Sequence, residues 1–328
     1  MVTVRDGHPQ ALASAAEAAG AAPSIHNTQP WHWRVHDGVA DLFADPRRQL
    51  LASDPERRLL ILSCGMALHH ARIALAAEGV AVEVDRIPDP GNVDLLATVS
   101  ITGSTPVTPA AMRLVQTAEI RHTDRRPLLD EPVPPTALAA LHSTIATSPV
   151  RLDVLDRDQV IELAAATDRS QSNEIHDDEV RAELQAWTTG EHPDGTGIPD
   201  ANIPQRPLQT TVPSRDFGHA GTLPTSSTHD SAASYAILYG SNDDPRAWLE
   251  AGEAFSALWL TATELSVAVL PLSAAVETPA QRHALRRILS GVGYPYLAMR
   301  LGIADPEQAS LPRTPRLAPS ATVEVVPS

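Results

Sequence analysis

Ser63-Cys64-Gly65-Met66-Ala67-Leu68 and Glu250-Ala251-Gly252-Glu253-Ala254-Phe255 can be laid over one another with Gly65 on Gly252, an offset of 187 residues (252 − 65). The offset continues without a gap. Leu75-Ala76-Ala77 falls on Ala262-Thr263-Glu264, and Val80-Ala81-Val82 falls on Val267-Ala268-Val269. Both stretches read as a long helix running into a strand. Each is preceded by Asp-Pro, at Asp54-Pro55 and Asp244-Pro245, and Asp at the N-cap with Pro at the first helical position is a helix start. Downstream, Leu96-Ala97-Thr98-Val99 and Leu297-Ala298-Met299-Arg300 both read as a short strand before a glycine. The pattern divides the chain into two related halves, 1–105 and 106–304, followed by a Pro-rich arm at 305–328.

The remaining elements fit that division. Each half opens with an Ala-rich helix, His8 to Gly20 and Pro134 to Thr147, and then a strand, Trp31 to His36 and Arg151 to Leu155. The first half inserts Pro23 to Pro30 between helix and strand, where the second has only Ser148-Pro149. From 188 to 231 the chain is rich in Pro, Gly, Thr, Ser and His and poor in large apolar residues. A loop of that length is either disordered or a functional lid. The arm is read as draped over the surface or as an added edge strand at Val323 to Val326.

Composition bounds the function. With 43% apolar and 20% charged residues, the chain reads as soluble and globular. No apolar run is read as reaching the roughly 18 residues that span a bilayer, and the first residues lack a secretory layout. A cytoplasmic location is expected. The net charge of −15 argues against nucleic acid and anionic membranes, which need a basic footprint. The chain has no lysine, so any phosphate clamp must be built from arginine forks.

Three runs carry candidate chemistry. In Ala22-Pro23-Ser24-Ile25-His26-Asn27-Thr28-Gln29-Pro30-Trp31 two prolines bracket short polar side chains, which suits either a rigid polar ligand site or a capped turn. Arg121-His122-Thr123-Asp124-Arg125-Arg126-Pro127 suits a phosphate or a solvated basic turn. Leu270-Pro271-Leu272-Ser273 can lie flat against a ring, or simply end a core strand. No Gly-rich phosphate loop or Gly-x-Ser-x-Gly elbow occurs. His69-His70 and the set His26, His32, His36 lack metal-ligand spacing, so no metal is expected.

Together these runs resemble the flavin-dependent nitroreductase family, and more closely its Acg-like branch. Ala22, Pro23, Ser24, Asn27, Gln29, Pro30 and Trp31 occupy every fixed position of the family's Ala-Pro-Ser-x-x-Asn-x-Gln-Pro-Trp motif. Arg121, Thr123 and Arg125 are similar to its Arg-x-Ser-x-Arg/Lys phosphate motif, with Thr for Ser. The resemblance implies an α+β fold, an antiparallel sheet with flanking helices, duplicated here as a pseudo-dimer. The family's sites each draw one motif from each subunit. This first half has at the Arg-motif position only Val4-Arg5-Asp6-Gly7-His8, and Val99 where the second half has Arg300. One FMN site per chain and a monomer are therefore expected.

On the same resemblance Arg121 and Arg300 clamp the phosphate, helped by Thr123 and His122. Arg125 sits near flavin N1 and O2, Ser24 and Asn27 close the site from the other half, and the Leu270–Ser273 turn addresses N5 through the Ser273 N–H. The flavin carries the electrons, so no catalytic side chain is named. The implied partners are NAD(P)H and a small acceptor such as a nitroaromatic or quinone. The alternative is an FMN-sequestering protein whose 188–231 lid keeps nicotinamide out.

Overall fold

A computed structural model describes residues 8–174, 176–190, 192, 194–225, 230–305 and 311–327; the Val4–Gly7 part of the comparison above lies outside them. The long helix of the first half is α2, Arg58–Ala77, and its counterpart in the second is α7, Pro245–Glu264. The 187-residue offset carries the first residue of α2 onto the first of α7 and the last onto the last. The two starts are nevertheless built differently. Asp244 caps α7 as expected, accepting the Ala247 N–H at 2.9 Å with Pro245 in the first turn. At Asp54-Pro55 the expected start is wrong. Arg57 takes a left-handed conformation (φ 65°), the helix begins at Arg58, and the Asp54 carboxylate reaches forward to the Leu60 N–H at 2.8 Å.

Helix α2 also corrects the reading of apolar runs. It is long and apolar enough to cross a membrane, yet 83% of its most apolar window is buried inside the protein. A helix apolar on all sides needs a partner on all sides, and α7 is that partner. The helices cross at their glycines: a Cβ on Gly65 would come within 3.0 Å of Gly252 Cα and collide with the Leu249 carbonyl. One on Gly252 would collide with the Leu62 carbonyl. Leu62 and Leu249 are themselves counterparts, so each helix meets the other through the same surface, the pattern of a twofold contact. His69 and Ser256, also counterparts, face each other at 2.9 Å.

Among the described residues the strands form two sheets. The first contains β1 (Trp31–His36), β2 (Val39–Ala44), β3 (Val80–Arg86) and β4 (Leu95–Ser104). The second contains β5 (Val150–Val154), β6 (Ser234–Gly240), β7 (Val267–Leu272) and β8 (Tyr294–Ile303). The order β1-β2-β4-β3 recurs as β5-β6-β8-β7, antiparallel throughout. Helices α1 (His8–Ala18) and α4 (Pro135–Thr144) precede β1 and β5 as expected, each slightly shorter than read from sequence. Helix α3 (Pro109–Ile120), between the halves, was not foreseen.

The halves differ in their connections. Strands β1 and β2 are joined by the two-residue turn Asp37-Gly38, both at positive φ (44° and 78°), the tight hairpin geometry that matches strand twist. Between β5 and β6 the chain instead makes α5 (Arg157–Glu174), α6 (Asp178–Thr188) and the 188–231 excursion. That excursion has order of its own. Ile198, Ile203 and Phe217 pack with Leu184 in a small separate core, and Pro204 bridges to Leu223. Between β7 and β8 lies α8 (Pro279–Ile288), opened by a Thr278/Gln281 capping box. The arm returns to the first sheet as β9, Val323–Val325, pairing parallel with β1.

Candidate functional site

The segment after α1 is held by backbone strain and polar contacts together. His26, Asn27 and Gln29 all have positive φ (46°, 57° and 49°), a conformation that non-glycine residues hold only when surroundings impose it. Ser24 Oγ accepts the Gln29 N–H at 2.8 Å, and the Ile25 N–H donates to Ser63 Oγ at 3.2 Å. Asn27 Nδ2 donates to the carbonyls of Gly195 (3.1 Å), Gly197 (3.0 Å) and Pro315 (3.1 Å), while its Oδ1 accepts from Arg316 at 3.1 Å. Gln29 repeats the device, donating to Gly195 O at 3.0 Å and accepting the Leu317 N–H at 3.0 Å. This motif therefore latches the 188–231 segment and the arm onto the first half.

Two adjoining cavities share Pro23, Ser24, His26, Thr123, Arg125 and Trp259 in their walls and so form one cleft. The apolar part is a partly enclosed cleft of about 120 Å³. Its walls include Met66 and Leu62 from α2, Trp259 from α7, and Leu270, Pro271, Leu272 and Ser273 at the end of β7. Pro204, Leu208, Arg215 and Phe217 close it from the lid, and Arg215 is itself ion-paired with buried Glu277. Among the described residues the lining of this part contains no carboxylate, in a chain with 40 acidic residues.

The polar part ends in two guanidiniums, those of buried Arg121 and half-buried Arg316. Arg121 Nη2 and Arg316 Nη2 both donate to the Ala21 carbonyl, at 3.4 and 3.3 Å. Among the described residues, each has a buried Nε with no partner, and neither pairs with a carboxylate. Burial pushes Arg121 down to about 9, with the charge of Arg316 adding to the effect. Burial alone brings Arg316 down to about 10. Arg121 also stacks on Trp259, 4.6 Å from its ring centre. A buried cation with a second, half-buried one beside it is costly unless an anion joins them, and two forks suit a phosphate. These residues fit a phosphorylated ligand with a flat apolar ring.

Arg125 sits at the junction, its Nη1 donating to Asn202 O at 3.3 Å and its guanidinium 5.5 Å from the Phe217 ring centre. Burial brings it down to about 10, against the pull of Asp124. Thr123 lines both parts of the cleft, while His122 is exposed at the rim, with Nδ1 3.1 Å from Ile120 O. Pro23, Ser24, Asn27, Arg121, His122, Thr123, Arg125 and Leu270–Ser273 are thus brought to one cleft.

Arg300 is not among its walls. It lies buried on β8, donating to the carbonyls of Asp124 (3.2 Å) and Arg126 (2.9 Å) and facing Asp230 at 3.5 Å. It supports the 124–126 turn from behind instead of reaching the polar end. The sheet register also pairs Arg300 with Leu270 and Ser100 with Glu83, which makes Ser100 its counterpart instead of Val99.

Sequence reading missed Arg316, His26 and Trp259. The available signal for Arg316 was Pro312-Arg313-Thr314-Pro315-Arg316, the arginines of an arm read only as draped or edge-forming. His26 is buried, lines both parts of the cleft, and is held neutral by burial and by the charges of Arg215 and Arg125.

An α+β fold with two repeated antiparallel sheets and a cleft with apolar walls and a cationic end, lined by motifs from both halves, defines a nitroreductase-like class. The chain is 38% identical over 92% of its length to "Putative NAD(P)H nitroreductase Rv3131" of Mycobacterium tuberculosis, covering 88% of that protein. It is 32% identical over 93% of its length to "Putative NAD(P)H nitroreductase acg" of the same organism, covering 92% of it. The chain belongs to this NAD(P)H nitroreductase family. No family model matches it. Among solved structures, a nitroreductase with bound FMN from Bacteroides fragilis aligns with 65% of this chain and 98% of its own, at 13% identity and a TM-score of 0.40. NfnB from Mycobacterium smegmatis in complex with NADPH aligns with 66% of this chain and 97% of its own, at 18% identity and a TM-score of 0.40.

Proposed function

We propose that the protein is an FMN-dependent NAD(P)H oxidoreductase that binds one flavin per chain and reduces small oxidised acceptors of the nitroaromatic or quinone type. The reading takes its support above all from one observation: buried Arg121 and half-buried Arg316 have no carboxylate partner among the described residues and stand at the end of an apolar slot. A bound flavin supplies hydride acceptance and delivery. The chain's part is binding and electrostatics. Arg121 and Arg316 hold the phosphate, with Thr123 beside them and His122 at the rim. Trp259 and Leu270–Ser273 flank the ring. Arg125 adds positive charge where reduction leaves negative charge, and Ser273 lies at the end of the turn that faces the ring.

The same reading takes the halves, 1–105 and 106–304, as a pseudo-dimer within a monomer, since the site draws on Pro23–Asn27 from one half and Arg121–Arg125 from the other. A nicotinamide donor goes with a cytoplasmic location. A second reading, FMN sequestration without turnover, is favoured by the lid: Pro204, Leu208 and Phe217 wall the apolar part, and Asn27 and Gln29 latch the segment down.

Purified protein with a flavin absorption spectrum supports both readings, and its absence after reconstitution with FMN rejects both. Anaerobic mixing with NADPH then separates them. Bleaching within seconds means an oxidoreductase, and persistent colour means sequestration.

A further inference from the structure

Of the charged side chains outside the cleft that the 187-residue offset places on residues lining it, three meet one another. Glu253 is the counterpart of Met66, Arg72 that of Trp259, and Arg86 that of Ser273. In the cleft these positions hold a thioether, an indole and a hydroxyl. Their counterparts meet one another. Arg72 Nη1 donates to Glu253 Oε1 at 2.7 Å, and Arg86 donates to the same carboxylate through Nε at 2.6 Å and Nη2 at 3.0 Å. Glu253 is buried, Arg86 mostly so, and Arg72 is partly open to solvent.

The twofold crossing of α2 and α7 at Gly65 and Gly252 means that a groove on one side of the crossing has an equivalent on the other. Resting on the pseudo-dimer reading above, we propose that Arg72, Glu253 and Arg86 form an ionic plug that fills a second, latent ring-binding groove. The number of flat ligands the chain accepts is thus limited to one by three side chains. Stability alone is a poor reason for such a cluster, because a buried ion triad is commonly no more stabilising than apolar side chains of the same volume. Exclusion is a better one. A flat apolar ring entering this groove would have to separate a buried carboxylate from two guanidiniums and leave them desolvated. Beside Met66 and Trp259 no such carboxylate–guanidinium cluster occurs among the described residues.

The test uses lumiflavin, a flavin ring without phosphate, so that binding does not depend on the Arg121–Arg316 pair. By equilibrium dialysis the parent should take one equivalent and the R72W/E253M/R86S variant two. A variant with parental circular dichroism and a cooperative melt that still takes one equivalent overturns the plug. Because three buried changes can unfold the chain, Glu253→Gln is measured beside it; it keeps the shape and removes the charge. Amide exchange in 80–86 should then speed up by about tenfold, with 267–272 unchanged. Equal acceleration of both segments, or of neither, overturns the proposal. If the parent takes no lumiflavin, the reading of the first cleft fails, and the E253Q exchange pattern alone decides the plug.

Discussion

Trp259 and Arg72 occupy equivalent positions about one helix crossing, yet one lines a cleft with apolar walls and the other belongs to an ion cluster. The backbone differs little between them: strand order, helix ends and the glycine contact all repeat. What differs is side-chain chemistry, Met66, Trp259 and Ser273 against Glu253, Arg72 and Arg86 among others, and the connections, above all Asp37-Gly38 on one side and the α5–α6–lid excursion on the other. The two halves thus offer similar frames that carry different side chains at equivalent positions.

That contrast can be broken most severely by copying the closed side onto the open one. M66E/W259R/S273R should abolish FMN binding while leaving the circular dichroism of the fold, checked by absorbance after gel filtration with excess FMN. Next in size, Arg316→Ala should weaken FMN by about 10- to 100-fold, the cost of about 1.5–3 kcal/mol for a hydrogen bond to a charged group. Arg72→Ala should leave FMN affinity unchanged, and titration calorimetry reads both. Arg300→Ala should act chiefly on stability, lowering the denaturation midpoint by removing support for the carbonyls of Asp124 and Arg126.

A smaller effect tests the latch. Asn27→Ala removes the contacts to Gly195, Gly197 and Pro315 together, so limited proteolysis within 194–225 and 311–317 should accelerate in parallel. Smallest is a pH effect at the imperfect start of α2. Burial pushes the Asp54 carboxyl up to about 7, against the amide hydrogen bonds from Leu60, Leu59 and Arg58. The folded state therefore keeps a proton that the unfolded chain releases near 3.8, and stability falls as pH rises between those values. Asp54→Asn should flatten that fall, measured as urea midpoints at pH 5 and pH 7.5.

Much of this was legible in the sequence because helix starts, strand patterns and the Pro23–Trp31 run are local signals. Asp244-Pro245 gave α7 its true first turn, and Trp31 to His36 gave β1 its full length. Asp54-Pro55 misled because the same dipeptide is followed by Arg57 in a left-handed conformation, which only the surrounding fold imposes. Arg300 misled for another reason. A strand position does not say which face a side chain takes, and a one-residue error in register inverts that face. Arg316 escaped because its importance is set by distance in space: it meets Arg121 over the Ala21 carbonyl after an excursion through both sheets.

That excursion has a consequence for biosynthesis. Arg121 and Arg316 are 195 residues apart (316 − 121), and a nascent chain grows at roughly 5–20 residues per second. The apolar walls from α2, α7 and β7 are therefore all made before the second guanidinium leaves the ribosome, roughly 10 to 40 seconds after the first. A phosphorylated ligand cannot be gripped at both arginines during that interval, so its capture comes late in the making of the protein.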